Sequence, residues 1–255
     1  MASLLEVKSV NKSFGGLQAV SDVSFAVNEG TIKAVIGPNG AGKTTLFNLI
    51  SGSLLADTGK VIFKDKQIQG LPPYKIATRG ISRTFQNIKM FAGMTALENV
   101  MVGRHTRSRA GFWAGMLSLP GTWSEERHIR EKSFELLELL EIADFADTEA
   151  TSLAFGQQRA VELARALASE PSLLLLDEPA AGLNIYETAE LARLITKIRD
   201  YGITILLVEH DMSLVMDISD EIVVLSFGQK LVEDVPQKIQ TNKEVIQIYL
   251  GDDDA

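Results

Sequence analysis

Leu5 and Val7, and further on Val23, Phe25 and Val27, stand at every second position with polar or small residues between them, so a period of two predicts β-strands at the head of the chain. Asn28-Glu29-Gly30 supplies a turn, and the apolar stretch Ile32 to Ile36 then reads as a strand. A helix is expected over Thr44 to Ile50, ended by Gly52, and another strand over Lys60 to Phe63, leading to the turn-like Lys64-Asp65-Lys66. From about Thr95 to Ala168 the character changes. Ile129, Leu136, Leu137 and Leu140 recur at helical spacing with no convincing strand, which predicts an inserted helical subdomain. Strands and helices alternate afterwards: strand Leu173 to Leu176, helix Tyr186 to Tyr201 stopped by Gly202, strand Ile203 to Val208, strand Ile222 to Leu225. That alternation implies βαβ units and an α/β fold with a largely parallel sheet.

Composition narrows the function classes. With 255 residues and 45% hydrophobic content the chain can bury the core of one large domain or two small ones. A net charge of -8 argues against general nucleic-acid binding. The lack of cysteine removes disulfides and thiolate metal sites, and the three histidines are too scattered for metal spacing. Glu6 and Lys8 interrupt the apolar start, so it lacks the h-region of a secretory signal, and no apolar run approaches the ~20 residues of a membrane span. Work at a membrane would therefore run through a partner. The closing Gly251-Asp252-Asp253-Asp254-Ala255 reads as a solvated, disordered acidic tail.

Two motifs carry chemistry. Gly37-Pro38-Asn39-Gly40-Ala41-Gly42-Lys43-Thr44-Thr45 follows a strand, opens a helix and fits the phosphate-binding loop throughout, which implies a bound nucleoside triphosphate. Its glycines let backbone N–H groups turn toward phosphate oxygens at the positive end of the helix dipole; Lys43 is placed to reach the β- and γ-phosphates, and Thr44 to ligate Mg²⁺. Leu173 to Leu176 then delivers Asp177 and Glu178 at the C-terminal end of a strand, where α/β sheets place their ligands. Asp177 is expected to hold Mg²⁺ through water, and Glu178, one residue further out, to polarise an attacking water.

Leu153-Ala154-Phe155-Gly156-Gln157-Gln158-Arg159, shortly before the acidic strand, resembles the signature of ATP-binding cassette (ABC) ATPases, Leu-Ser-Gly-Gly-Gln. Ala154 and Phe155 depart from it, and Ala154 lacks the serine hydroxyl that in the family contacts the γ-phosphate bound to the opposite subunit. What remains is Gly156, Gln157 and a helix N-terminus, whose N–H groups suit an anion. The resemblance further implies that Gln86, in Arg83-Thr84-Phe85-Gln86, touches Mg²⁺ or its water; that His210 is the switch histidine at the γ-phosphate; and that Phe14 stacks on adenine. Asn184, in Ala180-Ala181-Gly182-Leu183-Asn184, replaces the acid of the loop that crosses to the other subunit. The implied fold is a P-loop NTPase (RecA-like) core with an N-terminal antiparallel β subdomain and an inserted α-helical one. Residues 1–255 form a single nucleotide-binding domain on this reading: 1–94 the β subdomain and phosphate-loop core, 95–168 the helical subdomain with the signature, 169–240 the rest of the core, and 241–255 a C-terminal helix and tail.

The resemblance is nearest to the ATPase subunits of branched-chain amino acid importers, on Arg83-Thr84-Phe85-Gln86, Met94 to Val100, the Ala-Phe signature, Pro179 to Asn184 and the ending Tyr249-Leu250-Gly251. It implies ATP and Mg²⁺ as cofactors, ATP hydrolysis coupled to transport, and a second ABC ATPase, identical or related, as head-to-tail partner. Two membrane-spanning subunits and, indirectly, a substrate-binding protein complete the assembly, which places the chain peripherally on the cytoplasmic side of the cell membrane. Urea or amide importers and lipid-related exporters with similar ATPases remain open, as does a soluble ABC protein without a transporter. Arg104, Arg107, Arg109, Phe112, Trp113 and Trp123 interleave charge and aromatics over Arg104 to Trp123, a segment that reads either as helix–loop packing or as a docking surface.

Overall fold

The computed structural model describes residues 3–84, 86, 88–104 and 120–250; the acidic tail and residues 105–119 of the basic and aromatic segment lie outside them. Strands β1 (Ser3–Phe14) and β2 (Leu17–Asn28) pair as an antiparallel hairpin, longer than the alternating residues alone suggest. The reason is a break in period. Register shifts fall between Val7 and Val10, and Ser9 and Asp22 adopt φ of +46° and +50°, so the hydrophobic alternation slips within each strand. Strand β3 (Ile32–Ile36) is buried at all five positions, and helix α1 (Lys43–Ile50) follows it. Next come β4 (Thr58–Phe63), β5 (Lys66–Gln67), α2 (Pro73–Thr78) and β6 (Ile81–Arg83).

Helices α3 (Ala96–Gly103), α4 (Pro120–Leu139) and α5 (Phe155–Leu167) precede β7 (Leu173–Asp177) and α6 (Ile185–Asp200). The chain ends through β8 (Thr204–Val208), α7 (Met212–Ile218), β9 (Glu221–Ser226), β10 (Gln229–Asp234), α8 (Pro236–Thr241) and α9 (Lys243–Leu250). Strand β10 was not foreseen, because its alternate positions are only half-buried and its sequence reads as polar.

The residues divide into two compact units, Met1–Arg83 with Ser172–Ala255, and Thr84–Pro171. The first unit holds both sheets. One is antiparallel in the order β2-β1-β4-β5, and the other runs β10-β9-β3-β8-β7-β6, parallel except for the β9–β10 pairing. Leu5, Val23 and Phe63 of the antiparallel sheet join Val35, Leu175 and Val208 of the parallel one, with Leu46, Phe47 and Ile50 of α1, in one buried cluster. The six-stranded sheet fits the buried, near-continuous apolar runs of its central strands.

Among its described residues the second unit is helical, with one isolated β-bridge, Thr95 to Glu149. Thr95 caps α3 reciprocally: its hydroxyl accepts from the Glu98 N–H at 3.2 Å, and the Glu98 carboxylate accepts from the Thr95 N–H at 2.8 Å. Helix α3 then approaches α5 so closely that a Cβ on Gly103 would stand 2.1 Å from the Arg165 carbonyl oxygen.

Candidate functional site

The turn from β3 into α1 explains the glycines of the phosphate loop. Gly37 adopts φ of +150° and Gly42 +99°, and a Cβ on either would stand 2.2 Å from the Leu225 carbonyl oxygen or 2.4 Å from that of Ala19. Only glycine satisfies both constraints. The Lys43 side chain folds back into the loop and donates to the carbonyls of Gly37 at 2.6 Å and Pro38 at 3.0 Å. Burial lowers its pKa, against a smaller opposing pull from the Glu178 carboxylate.

A cleft of about 670 Å³ opens over this loop, and Phe14, Asn39, Lys43, Thr44, Glu178 and Phe227 are among the residues that line it. The phosphate loop, the aromatic expected at adenine and the carboxylate expected to activate water thus face one space. Phe14 is half-exposed at the end of β1, with the Lys12 ammonium 5.4 Å from its ring centroid. Phe227 lies in the β9–β10 turn and is 91% exposed, a position no sequence motif marked. The turn is fastened to the loop by the Gly228 N–H donating to the Ala41 carbonyl at 3.1 Å.

Asp177 is buried at the end of β7 and paired with Arg83 at 2.6 Å. Glu178 follows with φ of +47°, a left-handed conformation held by its N–H donating to the Val208 carbonyl at 2.9 Å. Strain of this kind in a bulky residue beside a cleft accords with a functional position. His210 has an exposed side chain, and the loop that carries it is organised by the fully buried Glu209. One carboxylate oxygen of Glu209 accepts from the Ala180 N–H at 2.7 Å, and the other from the His210 and Asp211 N–H groups at 3.0 and 3.3 Å. Glu209 therefore joins the turn after Glu178 to the turn at His210. Its sequence signal, a carboxylate directly after an apolar strand, is the same as that of Asp177 and Glu178.

Asn184 caps α6, its side chain accepting from the Tyr186 and Glu187 N–H groups at 3.0 and 3.1 Å. Gln86 and Ala154 to Gln157 belong to the second unit. There Ala154 precedes α5, and the Gln157 side chain accepts from the Ala154 N–H at 3.1 Å. This is half of a capping box, because alanine has no oxygen to return the bond. Phe155 is half-exposed in the first turn, with the Arg159 guanidinium 5.9 Å from its ring.

Within the first unit, Thr44 and Asp177 offer oxygen donors of the kind a hard divalent cation takes. Among the described residues no group of three or more His, Cys, Asp and Glu could hold a metal ion by itself. No helix among the described residues is long and apolar enough to cross a membrane.

Residues 20–181 match the family model described as ABC transporter. The chain is 45% identical over 250 residues to the high-affinity branched-chain amino acid transport ATP-binding protein BraF of Pseudomonas aeruginosa, covering 98% of each. It is 41% identical, again over 98% of each, to the corresponding ATP-binding protein LivG of Escherichia coli. Among solved structures, a nucleotide-free ATP-binding cassette from an ABC transporter superimposes with a TM-score of 0.84 at 32% identity, over 97% of this chain and 99% of the other. An ABC transporter cassette in its ADP conformation gives 0.85 at 32% identity, over 98% and 100%. The chain belongs to the ABC transporter family, as one of its ATP-binding cassettes.

Proposed function

We propose that this ATPase powers an importer of branched-chain or related hydrophobic amino acids. The observation that carries the ATPase reading is the common cleft of Phe14, Lys43, Thr44 and Glu178. The substrate class rests on near full-length similarity to BraF and LivG, whose names state branched-chain amino acid transport.

In this reading the N–H groups of Gly37 to Thr45 and the Lys43 ammonium bind the phosphates, and Phe14 stacks on the base. Thr44, Asp177 and Gln86 are the residues that would hold Mg²⁺, whose chemistry there would be to offset the negative charge of the phosphates. Glu178 orients a water and accepts its proton, while His210 contacts the γ-phosphate from a loop that Glu209 keeps in place. Ala154, Phe155, Gly156 and Gln157 are presented to the ATP of a second ABC ATPase. The helical stretch 95–168, within the second compact unit, is the part that meets two membrane-spanning subunits, so that the protein sits peripherally at the cytoplasmic face of the membrane.

The test is co-purification with the membrane-spanning partners, followed by ATPase measurement in liposomes with the cognate binding protein. Leucine, isoleucine or valine should stimulate hydrolysis. Stimulation by urea, short amides or lipid instead would reassign the substrate, and partner-free activity indifferent to all of them would remove transport from the reading.

A further inference from the structure

We propose that Arg83 is a positioning residue for the metal-binding carboxylate, fixing Asp177 to the helix face that carries Thr44. The inference rests on the ATPase reading above and adds a residue to which that reading assigns no role. Arg83 pairs in register with Leu175, and Leu175 and Asp177, two residues apart on β7, point to the same face of the sheet. From there the guanidinium reaches in two directions. Nη2 donates to Asp177 Oδ2 at 2.6 Å, while Nη1 donates to Asn48 Oδ1 at 2.8 Å and Ser51 Oγ at 2.9 Å.

Asn48 on α1 and Ser51, its C-cap residue, follow Thr44 at the helical spacing of four and seven residues, so all three share one face. One planar cation therefore ties the strand end that presents Asp177 to the helix whose first turn presents Thr44. Both members of the ion pair are largely withdrawn from water, Arg83 with 11% and Asp177 with 8% of the side chain exposed. The Phe47 ring lies 5.8 Å from the guanidinium carbon and adds an apolar wall. In such surroundings a carboxylate needs a hydrogen-bonded charged partner, and Arg83 supplies one that also orients Asp177.

Lysine would conserve the charge but not the two-sided fork, since an ammonium is a point donor on a flexible stem. Partners that orient a metal ligand from behind typically change metal affinity by about 10–100-fold when removed. The experiment measures Mn²⁺ binding to the ATP complex by electron paramagnetic resonance, and ATP binding in EDTA, for the parent protein, R83M, R83K, N48A and D177N. R83M should weaken Mn²⁺ binding by about 10–100-fold and leave metal-free ATP binding unchanged, with R83K intermediate. N48A, which loosens the fork without removing charge, should weaken Mn²⁺ binding in the same direction and covers the case in which R83M fails to fold. Mn²⁺ affinity equal to or above the parent value in R83M, or in N48A when R83M is unfolded, overturns the proposal. D177N separates this failure from that of the underlying reading, because unchanged Mn²⁺ affinity in D177N would show that Asp177 is not the metal carboxylate at all.

Discussion

The Lys43 ammonium donates to the carbonyl of Gly37 at 2.6 Å, so the cation of the phosphate loop is held by the backbone of that same loop. Its burial sets a pH dependence. Desolvation puts the pKa below the ordinary 10.5, and phosphate oxygens, by favouring the charged form, raise it again in the complex. Between those two values ATP binding takes up a proton, and affinity falls as pH rises. Between the lowered value and the ordinary 10.5 the unfolded chain binds more protons at this group, so this group alone raises the stability of the nucleotide-free protein as pH rises through that interval. Calorimetry of ATP binding in alkaline buffers of different ionisation enthalpy should register the proton uptake. Lys43→Met should abolish the uptake and weaken binding.

Glu178 joins a chemical role to a strained backbone. Glu178→Gln keeps the side chain's size and should lower hydrolysis by about 10²–10⁴-fold while ATP binding stays close to the parent value. Turnover near the parent rate in that variant would remove Glu178 as the base. Glu178→Val adds a β-branch at φ of +47° and should also destabilise the fold, by about 1–3 kcal/mol in urea unfolding.

Glu209 is expected to matter more for stability than its position beside His210 suggests. Glu209→Ala deprives the Ala180, His210 and Asp211 N–H groups of their acceptor. An orphaned buried donor costs about 1–3 kcal/mol, and denaturant unfolding should register at least one such loss. ATP binding through the phosphate loop should persist in whatever protein folds, whereas hydrolysis should fall because both turns lose their common anchor.

In the helical unit, Arg159 and Glu162 form a buried pair at 2.6 Å on α5, with side chains 2% and 3% exposed. Arg159 Nε and Nη2 are buried without a hydrogen-bond partner, so the pair is poorly compensated. Glu162→Ala should cost about 3–5 kcal/mol by leaving the cation alone, and the combined Arg159→Met, Glu162→Leu change should recover most of it. A double-mutant cycle by chemical denaturation checks this. Equal losses in the single and double variants would contradict it.

Much of the site could be read from the chain because its parts are contiguous. Gly37 to Thr45 is a turn and a helix start directly after the strand Ile32–Ile36, and Gly37 and Gly42 occupy positions where neighbouring backbone excludes a side chain. Asp177 and Glu178 end an apolar run, so their delivery to a strand terminus follows from local pattern. The long hairpin was only partly legible, since the bulges at Ser9 and Asp22 break the alternation on which such a reading depends.

Strand order decided the remainder. Because β6 lies beside β7, Arg83 meets Asp177 across a separation of 94 residues. With β7 next to β8, Glu209 reaches the Ala180 N–H, and with β9 next to β3, the turn bearing Phe227 and Gly228 closes on the phosphate loop. The sequence alone determined the identity and local geometry of the phosphate loop and the acidic strand end, because hydrogen bonds over a few residues suffice for both. Which side chains stand behind them was settled only by tertiary structure, since strand adjacency follows from burying both faces of the whole sheet and is written in no single segment.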